Sequence, residues 1–342
     1  MIWKAVLLFI VGLVCLIKGG DWFVDASTGL AKRFRVPEIL IGATIVSIGT
    51  TLPEVMVSAT SAFSGHSEIA YGNAIGSIIC NTALISAVTI AIRPSKIEKK
   101  TLTTPVLFFF ISAVFYSVIA YTSGNFSRII GIALLAIFVV YMVITVLQAK
   151  KSSASAQLLG ANGEVEVVEE ATEDSETEGK KQLFKDSLFK DIIFLIIGAA
   201  LIAVGARLLV NNGTIIATGL GVPESVIALT FVALGTSLPE LVTAITALVK
   251  GHSDLSLGNI VGANLFNLVL VSGVSVAVRP FSIPVSKTLM GYNSSLVLDI
   301  PLMLVVMGIL TVPSLIKGKL SRWQGILLLL IYAAFCAVQF AF

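Results

Sequence analysis

The stretch 49-GTTLPE-54 lies inside an apolar segment and places a glutamate where hydrocarbon is expected, directly after a proline. Nearly the same words return as 235-GTSLPE-240, again within an apolar segment. Around them the chain has 342 residues, of which 56% are hydrophobic and 13% charged. Soluble domains carry about 25% charged residues, so this composition belongs to lipid rather than water. Apolar runs long enough to cross a hydrocarbon core of about 30 Å fall near 2–28, 37–63, 68–92, 102–121, 127–148, 187–212, 223–249, 254–278, 293–313 and 323–341. The expected fold is an all-α polytopic membrane protein of about ten transmembrane helices. The first span has no small-residue cleavage signature after a short apolar core and is read as retained.

Residues 37–94 align without a gap on 223–280, and 24 of the 58 positions are identical. PEILIGATIVSIGTTLPE meets PESVIALTFVALGTSLPE, and GNAIGSIICN (72–81) meets GNIVGANLFN (258–267). Both windows close on an arginine–proline pair, Arg93-Pro94 and Arg279-Pro280. Chance does not produce such a register over this length, so the halves are duplicated units. Five spans per unit is an odd number, which turns the second unit upside down in the membrane. The expectation is two inverted five-helix repeats, 1–149 and 187–342, with the polar, acid-rich segment 150–186 as a flexible cytoplasmic linker. Secondary transporters use this plan and place their sites at mid-membrane on the repeat interface. Basic residues gather on one side: Lys32, Arg33, Arg35, Arg93, Lys96, Lys99, Lys100, Lys250, Lys317, Lys319 and Arg322. That asymmetry predicts both termini outside and the linker in the cytoplasm of a plasma-membrane protein.

The motif itself carries chemistry. Pro53 and Pro239 have no backbone N–H, and their rings clash with the carbonyls of Gly49 and Gly235. A helix break is expected at each, freeing carbonyls near Ser47–Thr50 and Ala233–Thr236. Such groups are tolerated in a membrane only where protein or a hydrated cavity satisfies them, and a cation would do so. Glu54 and Glu240 would then open the second half-helix, at the positive end of its dipole. Thr50, Thr51, Thr236 and Ser237 add hydroxyls. These are hard oxygen donors with no nearby His, Cys or Met, which suits Na⁺ and Ca²⁺ and argues against zinc or copper.

In the following span Asn73, Ser77 and Asn81 recur every four residues and share a face. Their counterparts are Asn259, Ala263 and Asn267. Gly72, Gly76, Gly258 and Gly262 read as sites of close helix approach. His66 and His252 read as turn residues, and Asp21, Asp25, Lys18 and Arg207 as structural ion pairs. The cysteines, Cys15, Cys80 and Cys336, lie in separate spans and form no disulfide framework or metal spacing. Asp299 is an intramembrane acid with no role assigned.

These motifs resemble the alpha repeats of the cation/calcium exchanger superfamily, and within it the sodium/calcium exchanger branch. The resemblance covers both halves and leaves out the linker. It implies four cation sites in a diamond formed by the second, third, seventh and eighth helices. The central Ca²⁺ site would use Glu54 and Glu240 with backbone oxygens at Thr50 and Thr236, its layer completed by Asn81 and Asn267. Sodium sites would draw on the Ser47 and Ala233 carbonyls, Thr51, Ser77 and Ser237. Ala263 stands where the family pattern usually has serine, and Asn267 where several members carry aspartate. The implied activity is Ca²⁺/Na⁺ antiport by alternating access, electrogenic if three Na⁺ replace one Ca²⁺, with no cofactor, nucleic acid or obligate protein partner. A Ca²⁺/H⁺ antiporter of the same superfamily is the alternative. A cation channel would be expected to form a pore ring by oligomerising, whereas the inverted repeat builds one occluded centre, and an intramembrane protease would need a catalytic aspartate pair or a serine dyad and would show no transport.

Overall fold

The computed structural model describes residues 2–161, 173–220, 235–285, 288–289 and 291–341. Ten helices follow in order: α1 (Ile2–Phe34), α2 (Glu38–Phe63), α3 (Ser67–Ile92), α4 (Lys99–Thr122), α5 (Arg128–Ala161), α6 (Glu173–Gly219), α7 (Leu238–Val249), α8 (Ser253–Val278), α9 (Ser295–Lys317) and α10 (Arg322–Ala341). Among the described residues nine are long and apolar enough to span a bilayer, and α7 is the described part of the remaining predicted span. A helix satisfies its own backbone polar groups, which is the condition for lying in hydrocarbon.

The inversion is written into the contacts. A Cβ on Gly12 of α1 would lie 2.9 Å from the carbonyl oxygen of Gly205 in α6, and one on Gly19 would lie 2.9 Å from that of Gly198. Residue numbers rise along one helix as they fall along the other, so the pair is antiparallel. Gly12 and Gly198 are repeat equivalents, as are Gly19 and Gly205, so the interface maps onto itself when the halves are exchanged. The same reciprocity recurs elsewhere. Arg93 donates to the Leu248 carbonyl (3.2 Å) at the end of α7, while Arg279 donates to the Phe63 carbonyl (3.3 Å) at the end of α2. Gly131 of α5 abuts Gly273 and Ala277 of α8, and Gly325 of α10 abuts Ala87 and Ala91 of α3. Even the short backbone pairings obey it. Lys96 bridges to Lys319 at one end, and strand β1 (Asn125–Phe126) pairs antiparallel with β2 (Phe281–Ser282) at the other. Each half therefore lends its last two helices to the other.

Two expectations change here. Helix α5 runs on to Ala161 and α6 begins at Glu173, so the described flanks of the acidic segment are helical, while residues 162–172 lie outside the described residues. Nucleation is the costly step, and Ala, Leu, Gln, Lys and Glu in these flanks extend a helix already formed. The acids of α1 pair with neither Lys18 nor Arg207. Lys250, at the end of α7, meets both Asp21 (3.3 Å) and Asp25 (2.8 Å). His252 does occupy its turn, with Nδ1 2.9 Å from the Glu38 carboxylate.

Candidate ion-binding centre

The two motifs approach one another at the centre of the bundle but are built differently. Pro53 does not break its helix: α2 continues through it from Ser47 to Phe63, with a π-helical widening at least about two turns earlier at Gly42–Val46. π-turns concentrate at functional sites. Glu54 thus stands inside a helix rather than at the start of one. In the second copy residues 235–237 form a turn, Ser237 occupies the N-cap position, and Pro239 falls in the first turn of α7. There Glu240 does face the positive end of a helix dipole. Ala233 lies outside the described residues.

Glu54 and Glu240 are both 0% exposed. Around them Ser47, Thr50, Thr51, Ser77, Asn81, Ser237 and Asn267 are buried and Thr236 is half-buried. The two halves are stitched across this point by hydroxyls. Thr51 Oγ1 of the first motif donates to Glu240 Oε1 of the second at 3.5 Å. Thr50 Oγ1 donates to Asn259 Oδ1 at 3.2 Å, and Ser47 Oγ lies 3.0 Å from the Asn259 carbonyl and 2.7 Å from that of Gly42. Asn73 Nδ2 donates to Ser58 Oγ (2.8 Å) and the Glu54 carbonyl (3.3 Å), fixing α3 against α2. Asn267 Nδ2 turns back to the Ala263 carbonyl at 3.0 Å, which leaves its Oδ1 directed elsewhere.

What remains unpaired defines the chemistry. Both carboxylate oxygens of Glu54, Oε2 of Glu240, both amide atoms of Asn81, Oδ1 of Asn267 and Oγ of Ser237 are buried without a hydrogen-bond partner. Buried polar groups are almost always paired, since desolvation costs each about 1–3 kcal/mol. Here six of the unpaired atoms are oxygens, drawn from symmetry-related positions on α2, α3, α7 and α8. Such a set suits a hard cation. Asn81 and Asn267 also open the π-turns Asn81–Ser86 and Asn267–Val271, so the backbone is widened at each.

Ser58 and Thr243 escaped the sequence reading. Ser58 is fully buried and receives Asn73, and Thr243 has an unpaired buried hydroxyl. Each follows its glutamate by one helical turn, and that spacing was a usable signal. Asn264, whose Nδ2 reaches Thr82 Oγ1 at 2.7 Å, was also unforeseen.

The repeated glycines divide. A Cβ at Gly258 would fall 2.3 Å from the Ile39 carbonyl oxygen, and one at Gly262 would fall 2.3 Å from Ser47 Oγ. These two allow α8 to press on α2, as expected. Their equivalents Gly72 and Gly76 meet nothing within 4 Å, so the close-approach reading fails for the first copy. Helices α1 and α6 lie across the centre: Phe23, Ala199 and Ile202 face Gly49, Thr50, Pro53 and Pro239 over a narrow void. Among the described residues no group of three or more His, Cys, Asp or Glu side chains gathers as a metal site.

The fold has the plan of an inverted-repeat secondary transporter, with two buried glutamates, one from each repeat, at its centre. The chain belongs to the sodium/calcium exchanger protein family, which matches residues 4–147 and 190–341 and leaves out the segment between the repeats. It is 30% identical to the sodium/calcium exchanger MaX1 of Methanosarcina acetivorans, covering 98% of both chains. It is also 33% identical to the inner membrane protein YrbG of Escherichia coli, over 81% of this chain and 80% of that one. A solved structure of the sodium-calcium exchanger NCX_Mj, soaked with Na⁺ and no Ca²⁺, superposes with a TM-score of 0.77 at 31% identity, over 98% of this chain and 99% of the other.

Proposed function

We propose that the protein is a multi-pass antiporter that exchanges Ca²⁺ for Na⁺ through the centre around Glu54 and Glu240. The observation that carries this is the pair of fully buried glutamates, one from each repeat, with three of their four carboxylate oxygens unpaired. An empty pair would carry about two negative charges, and holding even one ion in a low-dielectric interior costs several kcal/mol. One Ca²⁺ neutralises the pair, and sodium ions do so in its place. Loaded forms therefore cross while the bare form is held back, which couples the two fluxes and prevents leak.

In this reading Glu54 and Glu240 bind Ca²⁺ with backbone oxygens of Thr50 and Thr236, and Asn81 and Asn267 complete the layer. Thr51, Ser77, Ser237 and the carbonyls of Ser47 and Ala233 serve the sodium sites. Three Na⁺ for one Ca²⁺ moves one net charge per cycle. The glycine-lined α1–α6 pair slides over the remaining bundle and exposes the centre to alternate faces. The clustering of basic residues supports a plasma-membrane orientation with both termini outside.

The test is ⁴⁵Ca²⁺ uptake into proteoliposomes driven by an outward Na⁺ gradient. Wild type accumulates Ca²⁺ only with the gradient, and Glu54→Gln or Glu240→Gln abolishes uptake while leaving the protein monodisperse. Uptake driven by a proton gradient and indifferent to sodium would replace Na⁺ with H⁺ as the coupling ion. Normal uptake by either folded mutant would remove the glutamates from the centre.

A further inference from the structure

The α1–α6 pair lies unequally on the two repeats. Gly20 of α1 is pressed on α7: a Cβ there would fall 2.8 Å from Val242 Cγ1 and 2.9 Å from Thr246 Oγ1. Val242 and Thr246 are half-buried. Their repeat equivalents on α2, Met56 and Thr60, are left uncovered. Met56 is 59% exposed, and Thr60 is exposed as well. The pair is therefore shut over the end of α7 and stands off the end of α2, which lies at the opposite face of the membrane.

Charge distinguishes the two ends. Lys250, the C-cap residue of α7, lies 3.3 Å from Asp21 and 2.8 Å from Asp25, one helical turn apart on α1. Its ammonium also donates to the Asp21 carbonyl at 3.2 Å, next to Gly20 in the chain. A cation at this position is favoured by the helix dipole of α7 as well.

The other repeat has none of these parts. Ser64 stands where Lys250 does, Arg207 for Asp21, Asn211 for Asp25 and Ala206 for Gly20. Inverted repeats exchange their contacts when the pair moves to the opposite face, so there these four residues would meet. Serine, arginine and asparagine form no ion pair. Arg207 would arrive near Arg279, which already donates to the Phe63 carbonyl at that end of α2 (3.3 Å). The Ala206 methyl would enter a contact that α1 makes with a hydrogen atom.

We propose that Lys250 is a positioning residue that latches α1 to α7 and sets the resting orientation of the protein. It holds shut the face at which α7 ends and leaves open the face at which α2 ends. The inference rests on the sliding α1–α6 pair of the exchange reading, and not on which ions are carried. Both acids and the lysine are partly exposed. Such pairs bias an equilibrium by about fivefold at most, enough to set the resting population and little enough to be broken in every cycle.

The test reads accessibility rather than transport. Thr246→Cys and Thr60→Cys, at equivalent positions, are introduced singly into the full-length protein with Cys15, Cys80 and Cys336 replaced by serine. In nanodiscs both faces meet solvent, and a water-soluble maleimide should label Thr60→Cys quickly and Thr246→Cys slowly. Lys250→Ser should speed labelling of Thr246→Cys by about fivefold, and Lys250→Arg should keep it slow. Should Lys250→Ser fail to fold, Asp21→Asn combined with Asp25→Asn decides. Labelling of Thr246→Cys that the folded variant leaves unchanged overturns the proposal. So does a Lys250→Arg protein labelled as fast as Lys250→Ser, or a Thr246→Cys faster than Thr60→Cys without further substitution. Labelling needs no ion gradient, so an error in the coupling ion would alter uptake and leave these rates as they are.

Discussion

Glycines 72 and 258 occupy the same place in the repeat and should respond oppositely to one methyl group. A Cβ at Gly258 would sit 2.3 Å from the Ile39 carbonyl oxygen and 2.9 Å from the Ile39 Cα. Both atoms are backbone, so no side-chain rotation relieves the overlap. Ordinary contact begins near 3.4 Å, so α8 and α2 must separate by roughly 1 Å. Overpacking of this kind costs about 1–3 kcal/mol. The separation falls beside Asn259, whose carbonyl and Oδ1 accept from Ser47 at 3.0 Å and Thr50 at 3.2 Å. Lengthening both by about 1 Å takes them beyond hydrogen-bonding range and loosens the first motif around Glu54. Gly258→Ala should therefore lower the melting temperature in detergent and slow sodium-driven ⁴⁵Ca²⁺ uptake by at least about tenfold, since 1.4 kcal/mol is one decade. Gly72→Ala, with nothing within 4 Å of its Cβ, should match wild type in both measurements. Equal damage from the two substitutions, or none from either, would refute the claim that the copies pack differently.

Two further outcomes are expected. Ala263, the repeat equivalent of Ser77, is fully buried. Ala263→Ser should raise apparent sodium affinity several-fold and Ser77→Ala should lower it, each by about 1 kcal/mol for one neutral contact to a charged group. Titration of Na⁺ against Ca²⁺ exchange reads both, and unchanged sodium dependence in both would take these positions out of the sodium sites. Deleting Glu164–Glu178 should leave exchange in proteoliposomes nearly unchanged, because the five-helix units meet through α1–α6 and the α2–α8 centre; loss of transport by a correctly inserted deletion would show that this segment is part of the machinery.

Much of the architecture was legible in the sequence because the bilayer leaves few choices. Twenty apolar residues in hydrocarbon must form a helix, and an odd number of spans per repeat must invert the second copy. GTTLPE and GTSLPE likewise announced the centre, since an intramembrane carboxylate is too costly to persist without a use. The alignment could not say that identical letters behave differently. Pro53 rides inside a continuous helix while Pro239 stands at the start of one. Gly258 and Gly262 are pressed against α2 while Gly72 and Gly76 meet nothing within 4 Å. The acids of α1 found Lys250 rather than Lys18 or Arg207. Local pattern sets what a segment of chain is; what it touches depends on atoms supplied from nearly two hundred residues away. Only the tertiary structure brings Asn259 to Ser47 and Thr50, and Thr51 to Glu240, because packing is decided by the partner's surface, and the two halves do not present each other with the same one.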